Sequence, residues 1–337
     1  MKHTSKIITF LIFAAGLSAC SKWTEPESLD LAPKPQPQPE EYYRNLRNYK
    51  AGEHKLAVFG MDAISEAPTG RSQHLTAMPD STDYIYLRNL GGGLHPVLAG
   101  EVAAIREQKA TKVLADVDFL SICNEWDAIQ EEREESGQPA GTEDEFKALC
   151  RERLLSQLDC CNAYGLDGIM ASFNAAAEFA LAGRACFVDT IMEWLSGNPS
   201  KTLFVRGILS TLVRNTSGDT VVYDVKSFFQ RCEGLIYECG TEYSAGNVEL
   251  AIDRIIERGG GNVPVDRFIL EVTVPTPSDP AQIGMSPLAA AEWIDLPYAN
   301  FSKTGLCVSN AQDAYFYGSN SYQSLRAAIS VMNPSNN

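Results

Sequence analysis

Between residues 55 and 332, short apolar runs of strand length alternate with helix-length segments, and the alternation completes eight rounds. The strand candidates are residues 55–61, 84–87, 112–119, 166–174, 202–209, 234–239, 267–274 and 305–309. Helical patterns fall at 95–108, from Thr142 to Tyr164, and at 175–181, 187–195, 248–258, 288–294 and 322–332. Thr142 and Glu145 have the spacing of a capping box, in which each side chain satisfies a backbone N–H of the helix start. Short apolar strands separated by helices belong to a parallel sheet covered by those helices. Eight such units predict an α/β chain closed into a single (β/α)8 TIM barrel, and the span from 50 to 335 suits one barrel better than two small domains. A doubly wound sheet offers no reason for eight strands, and Gly91-Gly92-Gly93 lacks the spacing of a dinucleotide fingerprint.

The first 49 residues stand apart from this pattern. Residues 1–20 carry Lys2 and Lys6, then an apolar stretch from Ile7 to Gly16, then small residues. That is the form of an export signal, too short for a membrane span. Its ending, Leu17-Ser18-Ala19-Cys20, resembles a bacterial lipobox, which implies lipidation at Cys20 and a mature chain anchored by acyl groups. Residues 21–49 hold Pro26, Pro33, Pro35, Pro37 and Pro39 among Glu and Gln, and are expected to form an extended spacer between lipid and barrel.

A formal charge of −15 disfavours nucleic acid, whose phosphates need a basic partner surface. Eight cysteines remain beside Cys20, with no Cys-x-x-Cys, and the four histidines are scattered, so no metal site and no cofactor are expected. Several of these cysteines, including Cys150, Cys239 and Cys307, sit in apolar patterns and are expected to be mostly free, buried thiols. No Gly-x-Ser-x-Gly is present, and no histidine stands in a context that would pair it with a nucleophile. The acidic run from Glu131 to Glu135 reads as a solvated helix face.

Function in a parallel barrel sits where the strands end, which directs attention to the fourth. Its sequence is Leu166-Asp167-Gly168-Ile169-Met170-Ala171-Ser172-Phe173-Asn174. Side chains alternate along a strand, so Gly168, Met170, Ser172 and Asn174 share one face and Asn174 stands at the tip. The stretch resembles the strand-four signature of glycoside hydrolase family 18, the chitinases and endo-β-N-acetylglucosaminidases, Asp-Gly-x-Asp-x-Asp-x-Glu. Asp167 and Gly168 fit its opening, whereas the three inward acids fall on Met170, Ser172 and Asn174. The resemblance is weaker at 84–114 and 268–271. With the ending 322–334 these stretches resemble family 18-type lipoproteins of glycan-foraging Bacteroidetes.

Such enzymes use the substrate's own acetamide as nucleophile, with a Glu protonating the leaving oxygen and an Asp orienting the acetamide. An asparagine amide has no transferable proton, and a serine cannot supply the stabilising charge. The scaffold is therefore expected to be kept and the catalyst lost. Substitute acids, Asp116, Asp118, Glu178, Glu238 and Glu271, each have the plainer reading of an ordinary rim charge. Glu238 and Glu271 rank first among them, because both interrupt apolar strands. The expected glycan-contacting set is Asn174, Ser172, Asp116, Asp118, Tyr237, Glu238, Glu271 and Trp293. Tyr237 is included because the resemblance implies a strand-six tyrosine at the N-acetyl sugar. Trp126, Tyr243 and Tyr315 are further aromatic residues in or near the predicted loops. The reading that follows is a lipid-anchored, non-catalytic protein of the bacterial outer-membrane surface. It would bind N-acetylglucosamine-containing glycans for uptake, with outer-membrane uptake proteins as partners. The alternatives are an active endo-β-N-acetylglucosaminidase using relocated carboxylates, and a structural lipoprotein with no ligand.

Overall fold

A computed structural model describes residues 38–334 apart from residues 176 and 277. The chain divides into two units between Tyr42 and Tyr43. The export signal, Cys20 and the proline-rich run up to residue 37 lie outside the described residues. The spacer was expected to reach residue 49, but Glu40–Ala51 form a helix, α1. The prolines end at Pro39, and Glu40 and Glu41 at the start with Lys50 at the end suit the helix dipole.

In the second unit eight parallel strands close into a barrel, each hydrogen-bonded to its neighbours in sequence and the last to the first. They are β1 (Leu56–Asp62), β2 (Tyr84–Arg88), β3 (Lys112–Asp118), β4 (Gly168–Phe173), β5 (Thr202–Gly207), β6 (Gly234–Glu238), β7 (Phe268–Val272) and β8 (Lys303–Val308). The principal outer helices are α2 (Pro96–Lys109), α3 (Phe119–Glu135), α4 (Glu143–Ala163), α5 (Ala180–Gly197), α6 (Val225–Arg231), α7 (Ala245–Gly259), α8 (Pro287–Asp295) and α9 (Gln323–Met332). The chain is thus a (β/α)8 TIM barrel, and Thr142 and Glu145 form the capping box of α4.

Two cores hold it together. The larger lies between strands and helices and includes the ring stack Phe119–Phe173–Phe187, with centroids 4.8 and 5.4 Å apart at successive contacts. The smaller fills the lumen: Val58, Tyr84, Tyr86, Leu114, Met170, Phe204, Ile236, Ile269 and Cys307. Room for its large rings comes from glycine. A Cβ on Gly60 would lie 2.7 Å from the Tyr86 ring, and one on Gly234 would lie 2.9 Å from the Phe204 ring. Beyond this core the inward positions turn polar, at Asp62, Arg88, Asp116, Ser172, Arg206, Glu238, Glu271 and Ser309, because alternation carries the same face on to the C-terminal mouth.

Two expected elements differ. The helix expected at 175–181 does not form as such; the described residues from Ala175 to Phe179 are an irregular loop, and α5 begins only at Ala180. Phe179 is held against Trp126 and Phe146, with ring centroids 6.2 and 5.8 Å away, which ties the loop down before the helix starts. The segment between β5 and β6, with no helix assigned from sequence, contains a small hairpin (Thr216–Ser217 with Thr220–Val221) and α6.

Candidate functional site

The polar mouth is built by register. Asp118 pairs with Ser172, Ser172 with Arg206, and Glu238 with Glu271, so strands β3 to β7 deliver their last inward side chains to nearly one level. Arg206 lies at the centre of this group. Its Nε donates to Glu271 Oε2 at 2.9 Å and its second terminal nitrogen to Glu271 Oε1 at 2.6 Å, a bidentate pair in a buried setting. The same nitrogen is 2.8 Å from Glu238 Oε1, too poorly aligned to count as a hydrogen bond. The remaining terminal nitrogen reaches Ser172 Oγ at 3.4 Å, and the Ser172 hydroxyl in turn donates to Asp116. Ser172, Asp116, Glu238 and Glu271 are therefore brought together by a residue that the sequence reading passed over. The signal was present: Arg206 interrupts an apolar strand just as Glu238 and Glu271 do.

The electrostatics follow from that arrangement. Burial works against the charge of Arg206, but Glu271, Tyr86 and Glu238 around it hold it protonated well beyond its ordinary range. Burial pushes Glu238 up, with Arg206 pulling it back and Glu271 adding to the rise. Asp116 keeps some opening to the mouth while protein atoms surround its carboxyl. Burial raises it from 3.8 to about 6, against the opposing pull of Arg206 and the Ser172 hydroxyl.

Asp116 gives a pH prediction. Its folded-state value is the higher one, so between about pH 4 and pH 6 the folded chain holds a proton that the unfolded chain has released. Stability must then fall as pH rises through that window, by at most about 3 kcal/mol. Glu238 acts in the same direction. Asp116→Asn should flatten the decline in Tm between pH 4 and 6 by thermal denaturation; an unchanged profile would show that Asp116 is not the group responsible.

A cavity of about 610 Å³ opens above the cluster, lined among others by Asp62, Arg88, Asp116, Asp118, Asn174 and Arg206. Asn174 is at the tip of β4, and its Oδ1 is buried without a hydrogen-bond partner. Asp118 spends its carboxylate on the start of α3, accepting from the backbone N–H groups of Leu120 and Ser121 at 3.1 and 3.3 Å. Met170 is fully buried in the lumen core below this level. Neither Glu238 nor Glu271 lines the cavity.

Three aromatic expectations and one acidic expectation are corrected. Tyr237 follows the inward Ile236, so alternation turns it to the outer face, where it packs on the helix-layer core. Trp293, on α8, is buried with Lys303 Nζ 4.0 Å from its ring centroid. Lys303 begins β8, so Trp293 lies at the N-terminal end of the barrel, opposite the cavity. Trp126 is buried on α3 rather than in a loop, and its indole N–H donates to Glu178 at 2.9 Å, which places Glu178 outside the site.

Comparison with known proteins bears on the same strand. The family model for glycoside hydrolase family 18, BT1044-like, matches residues 24–196, just over half of the chain and the whole of β1 to β4. The chain belongs to glycoside hydrolase family 18. Among solved structures with this fold, BT1044, as a selenomethionine form with a Glu-to-Gln substitution, is 18% identical at a TM-score of 0.60, covering 88% of this chain and 93% of that one. An endo-β-N-acetylglucosaminidase from Cordyceps militaris is 10% identical at a TM-score of 0.57, covering 88% of this chain and 97% of that one. A double mutant of that enzyme, in complex with fucosyl-N-acetylglucosamine-Asn, aligns over the same shares at 11% identity and a TM-score of 0.56. No curated protein matches the chain in sequence. Family 18 membership rests on the sequence match; at these identities the structures share the fold with this chain.

Proposed function

We propose that this family 18 barrel binds glycan at its C-terminal mouth without hydrolysing it. The observation that carries the proposal is Asn174: at the strand tip where the family signature has its acid, an amide presents an unpartnered, buried oxygen beside the cavity. An orphaned buried acceptor costs stability, and a turn of this side chain towards the cavity it lines would offer it to a sugar hydroxyl or an acetamide N–H. The lost acid is not replaced from β6 or β7, because Glu271 is clamped by Arg206 and Glu238 is drawn to the same guanidinium. A carboxylate held in a bidentate ion pair is a poor proton donor.

One observation favours the enzymatic alternative. Asp116 lines the cavity and titrates at about 6, within the range of a general acid. It also accepts the Ser172 hydroxyl, an arrangement that suits a fixed hydrogen-bonding group in a binding site. The ligand class proposed is N-acetylglucosamine-containing glycan. Calorimetric titration with N-acetylchitooligosaccharides and N-glycan cores should give weak binding that Asn174→Ala reduces about tenfold, the loss of one well-placed hydrogen bond to a desolvated partner. Binding unaffected by Asn174→Ala would move the ligand away from this mouth.

The same proposal places the barrel at the outer-membrane surface, lipidated at Cys20 and working beside outer-membrane uptake proteins. Its support is the lipobox-like Leu17-Ser18-Ala19-Cys20 after an apolar leader. The wild-type protein should partition into detergent and Cys20→Ser should be released into the aqueous phase; a wild type that stays aqueous contradicts the anchor.

A further inference from the structure

Helices α4 and α5 flank β4 in sequence, and each carries a thiol into the interface between them. Cys150 is fully buried on α4, and Cys186 is half-buried on α5. Cys186 faces the turn of α4 that carries Cys150, and each thiol influences the other's proton affinity. Cys186 Sγ also lies 3.8 Å from the Lys147 carbonyl, one turn before Cys150 on α4, and 3.9 Å from Thr190 Oγ1 on its own helix. Other thiols face oxygen instead. Cys161 lies 3.3 Å from the Gly168 carbonyl, Cys232 2.9 Å from that of Phe229, Cys239 3.1 Å from that of Glu242, and Cys307 3.9 Å from the Glu271 carboxylate.

We propose that Cys150 and Cys186 are a dithiol that closes to a cystine in the presence of a disulfide oxidant, tying α4 to α5 around the strand that carries Ser172 and Asn174. The asymmetry of the pair sets the order of events. Cys186 is the more exposed, and the neighbouring Cys150 thiol lowers its pKa, with Thr190 and Arg151 adding to the effect, while Cys150 is raised by its neighbour Cys186 and by burial. The Cys186 thiolate attacks one sulfur of the oxidant, whose S–S bond breaks and whose other half leaves as a thiolate. Cys150 then attacks the Cys186 sulfur of the mixed disulfide, and its proton goes to the second departing thiolate. Two protein thiols are oxidised and one disulfide oxidant is reduced to two thiols, so the protein loses two hydrogens. A link between these positions closes a long loop of the unfolded chain, which is where a crosslink gains most.

The test uses the full chain equilibrated with oxidised or reduced glutathione, alkylated under denaturing conditions and mapped by mass spectrometry. The expected result is a linked pair of peptides containing Cys150 and Cys186 and a Tm about 5–10 °C above that of the reduced protein. Cys186→Ser and Cys186→Ala should each abolish the link and the Tm difference, whereas Cys160→Ser should leave both. Cys123 is the other thiol charge-coupled to Cys150. Full alkylation of Cys150 and Cys186 after oxidation, or a link joining Cys150 to Cys123, overturns the proposal. The wild-type peptide map decides this even where a variant folds poorly.

Discussion

Arg206→Met should destabilise the barrel by about 3–5 kcal/mol, the usual cost of removing one partner from a buried ion pair and leaving the other charged. In thermal denaturation this corresponds to a fall in Tm of about 6–10 °C for a domain of this size. The reason is local. Arg206 is the cation facing Glu271 and Glu238, and it also reaches Ser172, so its loss leaves buried carboxylates without their counter-charge. Glu238, already pushed up by burial and pulled back by Arg206, would then take up a proton more readily, and the variant should recover part of its stability as pH is lowered towards 5. The Arg206→Met, Glu271→Gln double variant should recover more than half of the loss at pH 7, because the unpaired charge is then gone. A single variant within about 1 kcal/mol of wild type would show that the cluster is solvated and that Arg206 does not organise the mouth.

The second large expectation concerns catalysis. Losing a general acid typically removes about 10²- to 10⁴-fold in rate, and under the proposed function Ser172 offers no carboxylate to orient an acetamide either. Asn174→Glu alone should therefore leave hydrolysis undetectable. Adding Met170→Asp and Ser172→Asp restores the family signature in letters but meets obstacles that the fold makes plain. Met170 is buried among Leu114, Phe204 and Ile236 in the lumen core, where a carboxylate loses its hydration. An aspartate at 172 would face Asp116 where a hydroxyl now donates to it. The triple variant should fold less stably than wild type by several kcal/mol, and Asp116→Asn should relieve part of that loss. Strong turnover by Asn174→Glu alone would mean that the rest of the catalytic apparatus is intact, and the reading of the mouth would fail.

Much of this molecule is legible in its sequence because the barrel repeats one local rule. Each apolar run between helices becomes a buried parallel strand, and Thr142 with Glu145 marks the start of α4 without tertiary help. Alternation also places Met170, Ser172 and Asn174 on one face of β4, and the observed lumen core and ion cluster occupy that face. The same rule, applied to β6, separates Tyr237 from Glu238, since adjacent residues cannot both face the lumen; the family resemblance points to Tyr237, and the apolar strand around it to Glu238. Arg206 was missed for a different reason. A lone arginine in a strand reads as a rim charge until the register shows that β4, β5 and β7 bring Ser172 and Glu271 to its guanidinium. Trp293 and Trp126 were judged by residue type, and burial is a tertiary property that type does not fix.

The central claim is that the mouth of this family 18 barrel retains a site for glycan and has lost the means to cut it. The most direct test is mass spectrometry of N-acetylchitooligosaccharides and N-glycan cores incubated with purified wild-type protein, alongside Asn174→Ala, Asp116→Asn, Glu238→Gln and Glu271→Gln. The account predicts intact glycans in every sample. Cleavage by the wild type would contradict it, and the carboxylate variant in which that cleavage disappears would name the acid that performs it.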